Sequence, residues 1–391
     1  MRICVVHNEY GKFSGEEAAV RVLCSLLKQH GHKVIPFVRS SAEIGELSFG
    51  KARAFFSGIY SFWSRTQAVR LLQESKPHVV HVHNVFPLLS PSVLAVCRQA
   101  GLPVVMTVHN YRLICPNGLF MTDGQICRKC AKGREYWCVL YNCEKSLLKS
   151  IGYALRNYVA RYRRMFLNNV TLYACLTEFQ RQQLVRAGFP AQRCLVVPNM
   201  ADLPAIQPSR QSGQYVGYVG RISPEKGMQT LVESARACSD IQFKAAGSYD
   251  RMAHLPGQAP RNFEFCGHLN KDQLGRFYAN SRYVVLCTIC YEGFPSVLPE
   301  AMLSAKPVIC SRIGGLAEIV DDNVNGLLFE PNNSKDLVEK IRFLWERPAL
   351  CRRMGQAGRQ KALREYSPEK YYERLMAVYE KALKLGPGGQ N

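Results

Sequence analysis

The sequence predicts an α/β fold of two doubly wound, Rossmann-like domains that face a central cleft. Short β-branched runs alternate with helical patterns in both halves of the 391-residue chain. Most of these runs are apolar along their whole length, as in parallel sheets that helices cover on both faces. A stretch rich in Pro, Ser and Gly separates the halves, and a chain of this length can bury two cores. Ligands of such sheets bind outside the carboxyl ends of the strands, so we expect the site in the cleft.

The N-terminal domain is predicted to span residues 1–200. Its strands are Ile3–His7, Val34–Val38, Val79–Val82, Val104–Val108, Leu172–Cys175 and Leu195–Val197. Its main helical patterns are Glu16–His30, Arg65–Ser75, Pro91–Ala100 and Ser146–Phe166.

The C-terminal domain is predicted to span residues 215–368, after a linker over residues 201–214. Its strands are Tyr215–Val219, Gln242–Ala246, Phe263–Phe265, Tyr283–Leu286, Pro307–Cys310 and Gly326–Phe329. Its helices are Lys226–Ala237, Asp272–Asn280, Val297–Ser304, Ser334–Trp345 and Pro348–Glu365. We expect the C-terminal helices to cross back to the N-terminal domain, with a last helix over residues 369–386 that packs on it.

Charge is unevenly distributed along the chain, whose formal net charge is +21. Residues 1–200 contain 26 Lys and Arg against 10 Asp and Glu, whereas residues 201–391 contain 25 against 20. A basic N-terminal half indicates an anionic partner: nucleic acid, a membrane leaflet or a phosphorylated substrate. No apolar run is long enough to span a bilayer, and the 16 cysteines follow no export signal. We therefore expect a cytoplasmic protein with reduced cysteines.

Two cations flank a strand-to-helix turn in the C-terminal half. Arg221 and Lys226 follow the apolar strand that ends at Val219, and Gly227 permits a close backbone approach. Cations beside a helix N-terminus stabilise a diphosphate by direct charge and by the aligned amide dipoles. The alternative interpretation is that both are solvated loop charges.

A pair of glutamates, Glu292 and Glu300, flanks a second turn that leads into a helix. Amides at the start of that helix are free to bind an anion. A carboxylate at Glu300 can accept hydrogen bonds from the vicinal hydroxyls of a ribose, and Glu292 lies on the loop, within reach of a sugar. The alternative is that Glu300 only complements the positive end of the helix.

These segments resemble the motifs of retaining family-4 glycosyltransferases of the GT-B fold. The run from Glu292 to Glu300 resembles the Glu-x7-Glu motif of that family, and Val219–Gly227 resembles its Gly-Arg-Leu-x-x-x-Lys-Gly segment. Further runs match in order and spacing: Glu300-Ala301-Met302, Lys306–Ile309, Gly314-Gly315, Glu318–Val320 and Asn325-Gly326. The resemblance covers the C-terminal half nearly end to end.

The resemblance implies roles for the matched residues. Arg221 and Lys226 would hold the donor diphosphate, Glu300 the ribose, and Glu292 the donor sugar near its anomeric carbon. Glu318 would fix the loop below the nucleotide. The remaining donor-binding residues would be Gly293, Phe294, Ser296 and Val297, the last two through backbone amides.

The N-terminal half contributes further candidates at strand ends. Ser14-Gly15 stands where relatives commonly carry a Gly-Gly pair that approaches the donor phosphates; otherwise Ser14 simply caps a helix. By the resemblance, His109 lies against the donor sugar and counts with Arg221, Lys226 and Glu292 as catalytic. The candidates for the acceptor side are Asn84, Asn110 and Arg112. His81 and His83 line the neighbouring rim, where structural roles are equally consistent with the pattern.

Five cysteines cluster in the segment after His109. Four of them, Cys115, Cys127, Cys130 and Cys143, could complete a tetrahedral structural zinc site, since Cys127 and Cys130 have the two-residue spacing of such ligands. The alternative, given the loose spacing and the fifth candidate, Cys138, is a set of reduced thiols in a loop.

Two basic amphipathic segments favour an anionic membrane surface as a partner. Leu148, Ile151, Leu155, Tyr158 and Tyr162 recur at helical spacing between Lys and Arg residues. A second aromatic segment consists of Phe55, Phe56, Ile59, Tyr60, Phe62 and Trp63. The alternative is that both helices pack on the N-terminal sheet.

The resemblance therefore implies a retaining, metal-independent hexosyltransferase of surface-polysaccharide synthesis. The basic amphipathic segments lead us to expect it to be peripheral on the inner face of the membrane. It would move a sugar from a nucleoside-diphosphate donor to a hydroxyl of a lipid-linked or saccharide acceptor. No cofactor is expected for catalysis, since the chain has no Asp-x-Asp pair, and no nucleic-acid partner is expected. The alternatives are a nucleotide-sugar epimerase or hydrolase on the same fold, or a non-catalytic protein that binds polyanions or membranes.

Overall fold

The computed structural model describes residues 1–11, 14–46, 50–201 and 213–389. They fall into two compact units. The N-terminal unit contains Met1–Thr122, Cys127–Pro198 and the residues from Tyr371 onward, and the C-terminal unit contains Asp123–Ile126 and Asn199–Lys370. Most of the predicted linker, residues 202–212, lies outside the described residues.

The N-terminal unit is built on a six-stranded parallel sheet with the order β2-β1-β3-β4-β7-β8. The strands of this half of the chain are β1 (Arg2–Glu9), β2 (Lys33–Ser40), β3 (Val79–Asn84), β4 (Val104–Val108), the short β5 (Met121–Thr122) and β6 (Gln125–Ile126), β7 (Leu172–Cys175) and β8 (Cys194–Val196). The helices are α1 (Gly15–Gln29), α2 (Glu43–Glu46), α3 (Gly50–Ile59), α4 (Phe62–Ser75), α5 (Ser92–Gln99), α6 (Tyr136–Leu140), α7 (Leu147–Tyr162), α8 (Met165–Asn169) and α9 (Glu178–Arg186).

The C-terminal unit contains a second six-stranded parallel sheet, with the order β11-β10-β9-β12-β13-β14. Its strands are β9 (Tyr215–Val219), β10 (Phe243–Ala246), β11 (Phe263–Gly267), β12 (Ser281–Leu286), β13 (Val308–Ser311) and β14 (Gly326–Phe329). The helices from here to the end of the chain are α10 (Met228–Ala237), α11 (Lys271–Asn280), α12 (Val297–Leu303), α13 (Leu316–Ile319), α14 (Ser334–Trp345), α15 (Pro348–Glu365) and α16 (Pro368–Leu385).

The predicted fold class is confirmed: each half of the chain forms a doubly wound parallel sheet. The order of the C-terminal sheet is that of dinucleotide-binding folds, and the order of the N-terminal sheet is flavodoxin-like. Burial explains why the strands were readable, because β3, β4, β7 and β14 are buried at every position.

The predicted crossing of the C-terminal helices holds for the last helix alone. α16 belongs to the N-terminal unit from Tyr371 onward, whereas α15 belongs wholly to the C-terminal unit. Within the N-terminal unit, the hydroxyl of Tyr379 bonds to His81 Nδ1 at 2.6 Å, and Tyr372 stacks on His30 with ring centroids 3.7 Å apart. The first of these contacts is buried, and together they attach the end of the chain to β3 and to the end of α1.

One predicted helix is broken in the structure. The sequence predicts a single helix over Ser146–Phe166, but α7 ends at Tyr162 and α8 begins at Met165. Arg164 between them has φ of 50°, in the left-handed region. A non-glycine residue in that conformation cannot continue a right-handed helix, so the chain turns there.

Candidate functional site

The loops after β9 and β12 meet in the C-terminal unit. These two strands are neighbours at the point where the strand order reverses, which is where doubly wound sheets leave a crevice at their carboxyl edge. The loop after β9 carries Arg221 and Lys226, and the loop after β12 carries Glu292. The topology therefore brings the two sequence motifs to one place.

Lys226 and Glu292 are directly paired. Lys226 Nζ lies 2.6 Å from both Glu292 Oε1 and Oε2, and the side chains are only 16% and 12% exposed. Charge-assisted bonds of this length are strong, and partial burial limits screening by salt. The sequence assigned the two residues to different parts of a donor. In the structure they are one ion pair, so an anion that approaches Lys226 would compete with Glu292 for it.

Gly227 makes this pairing possible. Its φ is +68°, and a Cβ atom built on it would lie 1.9 Å from the carbonyl oxygen of Cys287, at the end of β12. Only glycine fits a backbone that is both left-handed and this close to another backbone. The close approach holds the turn that carries Lys226 against the strand that leads to Glu292.

Arg221 and Arg251 complete the cationic side of the crevice, and both lie beside Glu225; Arg251 and Glu225 were missed at the sequence level. Arg221 is 54% exposed, with Nη2 3.6 Å from Oε1 of the buried carboxylate Glu225. Arg251 Nη1 lies 3.2 Å from the same oxygen. Glu225 stands between Arg221 and Lys226 in the sequence and could have been found there. Arg251 lies on an irregular segment after β10, with no motif to indicate it.

Glu300 lies on α12 and is oriented by a buried tyrosine. The Tyr278 hydroxyl donates to Glu300 Oε2 at 2.8 Å. Burial, followed by the Glu300 charge, raises the pKa of Tyr278 well above its usual range, so the phenol stays protonated and keeps donating. This contact fixes one carboxylate oxygen of Glu300.

The other predicted donor-binding residues of the C-terminal unit lie between Glu292 and Glu300 in the sequence. Phe294 packs edge-on against Tyr366, with ring centroids 5.4 Å apart, and Gly293 is partly exposed. Ser296 is exposed at the start of α12, Val297 is buried behind it, and Glu318 is exposed on α13. Their predicted ligand contacts stay predictions.

Four histidines converge at the carboxyl edge of the N-terminal sheet. His83 Nδ1 bonds to His109 Nε2 at 2.8 Å, and His81 Nε2 bonds to Thr107 Oγ1 at 2.7 Å. The His7 ring lies 6.2 Å from that of His83, and both His7 nitrogens are buried without a hydrogen-bond partner. Burial lowers the pKa of His7 to about 4 and those of His81 and His109 to about 3, so the rings are neutral near pH 7.

A second cluster joins the start of α1 to the loop after β4; the sequence predicted Asn110 and Arg112 as site residues but missed Tyr10 and Glu16. Glu16 Oε2 accepts hydrogen bonds from the Tyr10 hydroxyl at 2.8 Å and from Asn110 Nδ2 at 3.4 Å. Burial raises the pKa of Glu16 to about 7. Arg112 Nη1 donates to the Tyr10 hydroxyl at 3.0 Å, and its backbone N–H donates to Asn110 Oδ1 at 3.0 Å. Acidic residues in the first turn of a helix are common, so Glu16 carried no distinguishing signal.

The three predicted acceptor-side residues line one small indentation. Asn84, Asn110 and Arg112 share it with His83, Phe86 and His109. Asn84 also supports the backbone, since its Nδ2 donates to the Asn8 carbonyl at 2.9 Å and its Oδ1 accepts from the Phe86 N–H at 3.0 Å. The topology thus brings together the candidates from the ends of β3 and β4.

The Ser14-Gly15 pair has a local role that the structure defines. Ser14 Oγ accepts the Glu17 N–H at 3.2 Å and caps α1, as the alternative interpretation expected. A Cβ atom built on Gly15 would meet no atom within 4 Å, so the protein itself does not require glycine there. The predicted approach of this backbone to the donor phosphates stays a prediction.

The zinc hypothesis finds no support. Among the residues that the structure describes, no three His, Cys, Asp or Glu side chains are arranged to hold a metal ion. The cysteine thiols instead interact in two pairs, Cys115 with Cys130 and Cys138 with Cys143. Cys127 takes part in neither of these pairs. The two pairs lie near each other, since the pKa of Cys130 is raised by its hydrogen bond with Cys115, by burial and by the charges of Cys138 and Cys143, but the structure does not arrange them as a metal site.

Two family models match the chain along most of its length. The Glycosyltransferase Family 4 model matches residues 13–204, and the model of glycosyl transferases group 1 matches residues 200–361. The chain belongs to the glycosyltransferases of the GT-B fold. This membership accounts for the two Rossmann-like units and for the motif set at the carboxyl edge of the C-terminal sheet.

Known proteins are similar at moderate identity. An uncharacterized glycosyltransferase of Methanocaldococcus jannaschii is 34% identical over 42% of this chain and 47% of its own length. The poly(ribitol-phosphate) alpha-N-acetylglucosaminyltransferase of Staphylococcus aureus is 25% identical over 54% of this chain and 44% of its own. The chain thus spans about half the length of these curated relatives. The crystal structure of Anabaena HepE in complex with UDP aligns with a TM-score of 0.66 at 18% identity, over 97% of this chain and 100% of that one.

Proposed function

We propose that the protein is a retaining, metal-independent hexosyltransferase that uses a nucleoside-diphosphate sugar as donor. The acceptor is a hydroxyl of a lipid-linked or saccharide molecule, in the synthesis of a cell-surface polysaccharide. The observation that carries the proposal is the convergence of Lys226, Glu292 and Arg221 at the strand-order switch of the C-terminal sheet. Cations with a carboxylate at such a point suit a sugar diphosphate.

In the proposed reaction the acceptor oxygen bonds to the anomeric carbon while the bond from that carbon to the diphosphate breaks. Lys226 and Arg221 stabilise the charge on the departing diphosphate, which is the task that a metal ion performs in other transferases. The departing phosphate oxygen takes the acceptor proton on the same face, so the anomeric configuration is retained. Glu300 binds the ribose, and Glu292 contacts the sugar near its anomeric carbon. His109 is the catalytic candidate of the N-terminal unit.

The similar proteins support this choice of substrates. HepE is crystallised with UDP, and also with UDP-glucose, and the Staphylococcus aureus relative transfers N-acetylglucosamine to poly(ribitol-phosphate). A non-catalytic polyanion-binding protein would have no need for the oriented Glu300 or the Lys226–Glu292 pair. The products distinguish a transferase from an epimerase or hydrolase. Nucleotide release that requires the acceptor supports transfer. Nucleotide release at the same rate without the acceptor supports hydrolysis.

Glu300→Gln raises the KM for the donor by about tenfold or more, because a neutral amide accepts weaker hydrogen bonds from the ribose hydroxyls than a carboxylate does. Nucleotide release at varied donor concentration measures the change, with kcat affected less than KM. Glu339→Gln, an exposed substitution on α14, is the matched control. An unchanged KM in Glu300→Gln would contradict the ribose assignment.

We also propose that the protein binds the inner face of an anionic membrane through α7. The apolar stripe of this helix faces solvent, with Leu148 76% exposed. The other exposed members are Leu147, Ile151, Leu155, Tyr158 and Tyr162. The buried face of the helix instead carries small and polar residues, so the stripe does not pack on the sheet. Exposed cations flank it at Lys145, Lys149, Arg163 and Arg164. Apolar side chains ringed by cations complement an anionic leaflet.

Part of the second aromatic segment is exposed as well, at Phe56, Phe62 and Trp63. Phe55 instead packs under α7, where a Cβ atom on Gly152 would lie 2.7 Å from its ring. No helix in the described ranges has the length and apolarity to cross a membrane. We propose that attachment through this surface is peripheral.

The double substitution Leu148→Glu/Leu155→Glu reduces flotation with phosphatidylglycerol vesicles at low salt by at least tenfold, because it removes two inserted apolar groups and adds two repelled charges. Leu363→Glu, at another exposed leucine, leaves flotation unchanged. High salt weakens wild-type binding, and phosphatidylcholine vesicles bind less. Absence of wild-type flotation at low salt would remove the proposal, as would a shift from dimer to monomer in the double variant, which would assign the stripe to self-association.

A further inference from the structure

The inward face of α7 buries a guanidinium group. Arg156 is 5% exposed. Its Nη2 donates to the Pro116 carbonyl oxygen at 3.1 Å, while its Nε is buried without a hydrogen-bond partner. A guanidinium carries five N–H donors, and burial without partners for them is costly. Across the described parts of the chain, no carboxylate forms an ion pair with Arg156.

Aromatic rings hold this cation but leave its hydrogen-bonding capacity unused. The Arg156 guanidinium carbon lies 4.4 Å from the centroid of Phe86 and 3.9 Å from that of Tyr153. Ring faces attract a cation and fix its plane, yet they accept no hydrogen bond in that plane. The edge of the guanidinium, which is the part that binds carboxylate or phosphate, thus keeps an unused Nε–H donor.

A second arginine adds to the local positive charge. Burial, followed by the nearby charge of Arg112, lowers the pKa of Arg156 to about 10. Arg112 also lines the small indentation described above, together with Phe86, on which Arg156 stacks. The neighbouring carboxylate, Glu16, is only partly ionised at neutral pH, because burial raises its pKa to about 7. A second carboxylate, Glu144, also acts on both arginines. Two clustered guanidinium groups beside Glu144 and a half-protonated Glu16 still leave net positive charge.

We propose that Arg112 and Arg156 bind a phosphate group carried by the acceptor. The proposal rests on the proposed function and narrows its acceptor to a phosphorylated one. Asn84 and Asn110 line the same indentation as Arg112, and they exchange hydrogen bonds with the sugar nearest the phosphate. The phosphate belongs either to a lipid-linked phosphate or diphosphate, for which the exposed stripe on the opposite face of α7 is suited, or to a phosphorylated saccharide.

Pyrophosphate binding to the UDP-saturated protein tests the site. UDP first occupies the donor site, so any further rise of Tm with pyrophosphate reports a second anion site. We expect a further rise of several degrees at a pyrophosphate concentration of about 100 times its Kd. Arg156→Met keeps the side-chain volume and removes the charge, and it weakens this binding by at least tenfold. Without ligands, Arg156→Met melts no lower than the wild type, because an unpaired buried charge is removed.

Each outcome decides the proposal. A wild type that UDP stabilises but pyrophosphate does not stabilise further overturns it, while absence of any UDP effect would instead count against the proposed function. Arg156→Met that melts lower but retains the pyrophosphate response makes Arg156 structural and overturns the proposal. Arg112→Met, a second variant at a partly exposed position, must show the same loss of binding. Arg163→Met, at the exposed end of α7, retains the full response.

Competition identifies the source of the phosphate. Geranyl diphosphate and glucose 1-phosphate are titrated against pyrophosphate on the UDP-saturated protein. Tighter competition by geranyl diphosphate assigns the site to a lipid-linked acceptor, and tighter competition by glucose 1-phosphate assigns it to a phosphorylated saccharide. Competition by neither compound overturns the proposal.

Discussion

Lys226→Ala lowers kcat for sugar transfer by about 100- to 1,000-fold, the usual cost of removing one preorganised group that stabilises transition-state charge. Negative charge develops on the departing diphosphate, and Lys226 is the least exposed of the cations in the crevice described above. The substitution also leaves Glu292 as a mostly buried carboxylate without its cation. That charge would repel the diphosphate, so donor affinity falls as well.

The companion variants separate the two effects. Arg221→Ala costs less, about tenfold, because this side chain is half exposed and its charge is more strongly screened. Adding Glu292→Gln to Lys226→Ala restores part of the donor affinity, since it removes the repelling carboxylate, but it does not restore kcat. Nucleotide release with saturating acceptor measures kcat, and calorimetric titration with UDP measures affinity. Transfer by Lys226→Ala within threefold of the wild type would mean that the crevice has been assigned wrongly.

Acidification from pH 7 to pH 5 lowers the unfolding free energy of the N-terminal unit by several kcal/mol. Burial lowers the pKa of His7 to about 4 and those of His81 and His109 to about 3, and it lowers that of His83 well below the usual value. The unfolded chain takes up protons on these rings below about pH 6.5, whereas the folded chain does not. Their stability contribution is thus present above pH 6.5 and is lost as the pH falls towards 4.

Glu16 changes the unfolding free energy in the opposite direction, so the net effect of acidification depends on the sizes of the two contributions. The contribution of each histidine to the unfolding free energy falls by about 2 kcal/mol at pH 5, because each pH unit below about 6.5 costs about 1.36 kcal/mol. The pKa of Glu16 is raised to about 7, so its protonation returns about 2 kcal/mol over the same interval. Four histidines outweigh one glutamate by several kcal/mol, a large fraction of a typical unfolding free energy of about 5–15 kcal/mol.

Tryptophan fluorescence distinguishes the two units during urea unfolding. Trp63 and Trp137 report on the N-terminal unit and Trp345 on the C-terminal unit, so Trp345→Phe isolates the former signal. The urea midpoint of that signal falls between pH 7 and pH 5. His83→Asn reduces the pH dependence, whereas His254→Asn, at an exposed histidine, does not. Equal midpoints at the two pH values would contradict the buried neutral state of the cluster.

Much of the fold was readable from the sequence because its signals are local. Strands buried on both faces must be apolar throughout, so Val104–Val108 and Gly326–Phe329 were predicted with the bounds that the structure has. Helix ends followed from local capping and proline, as at Pro348–Glu365. Arg221, Lys226 and Glu292 were predicted as site residues because polar residues at the carboxyl ends of such strands usually form the site.

The contacts that the sequence did not predict depend on which distant segments become neighbours. Lys226 and Glu292 pair because β9 adjoins β12, and His81 bonds to Tyr379, 298 positions away, because α16 returns to the N-terminal unit. The orientation of α7 shows the same limit: its apolar periodicity is plain in the sequence, but that stripe faces solvent and Arg156 faces inward. The sequence by itself determined two parallel sheets and the residues at their carboxyl edges, because periodicity and strand ends are local properties. Only the tertiary structure decided the partners and orientations of those residues, because they depend on strand order and on the face that each helix presents to the sheet.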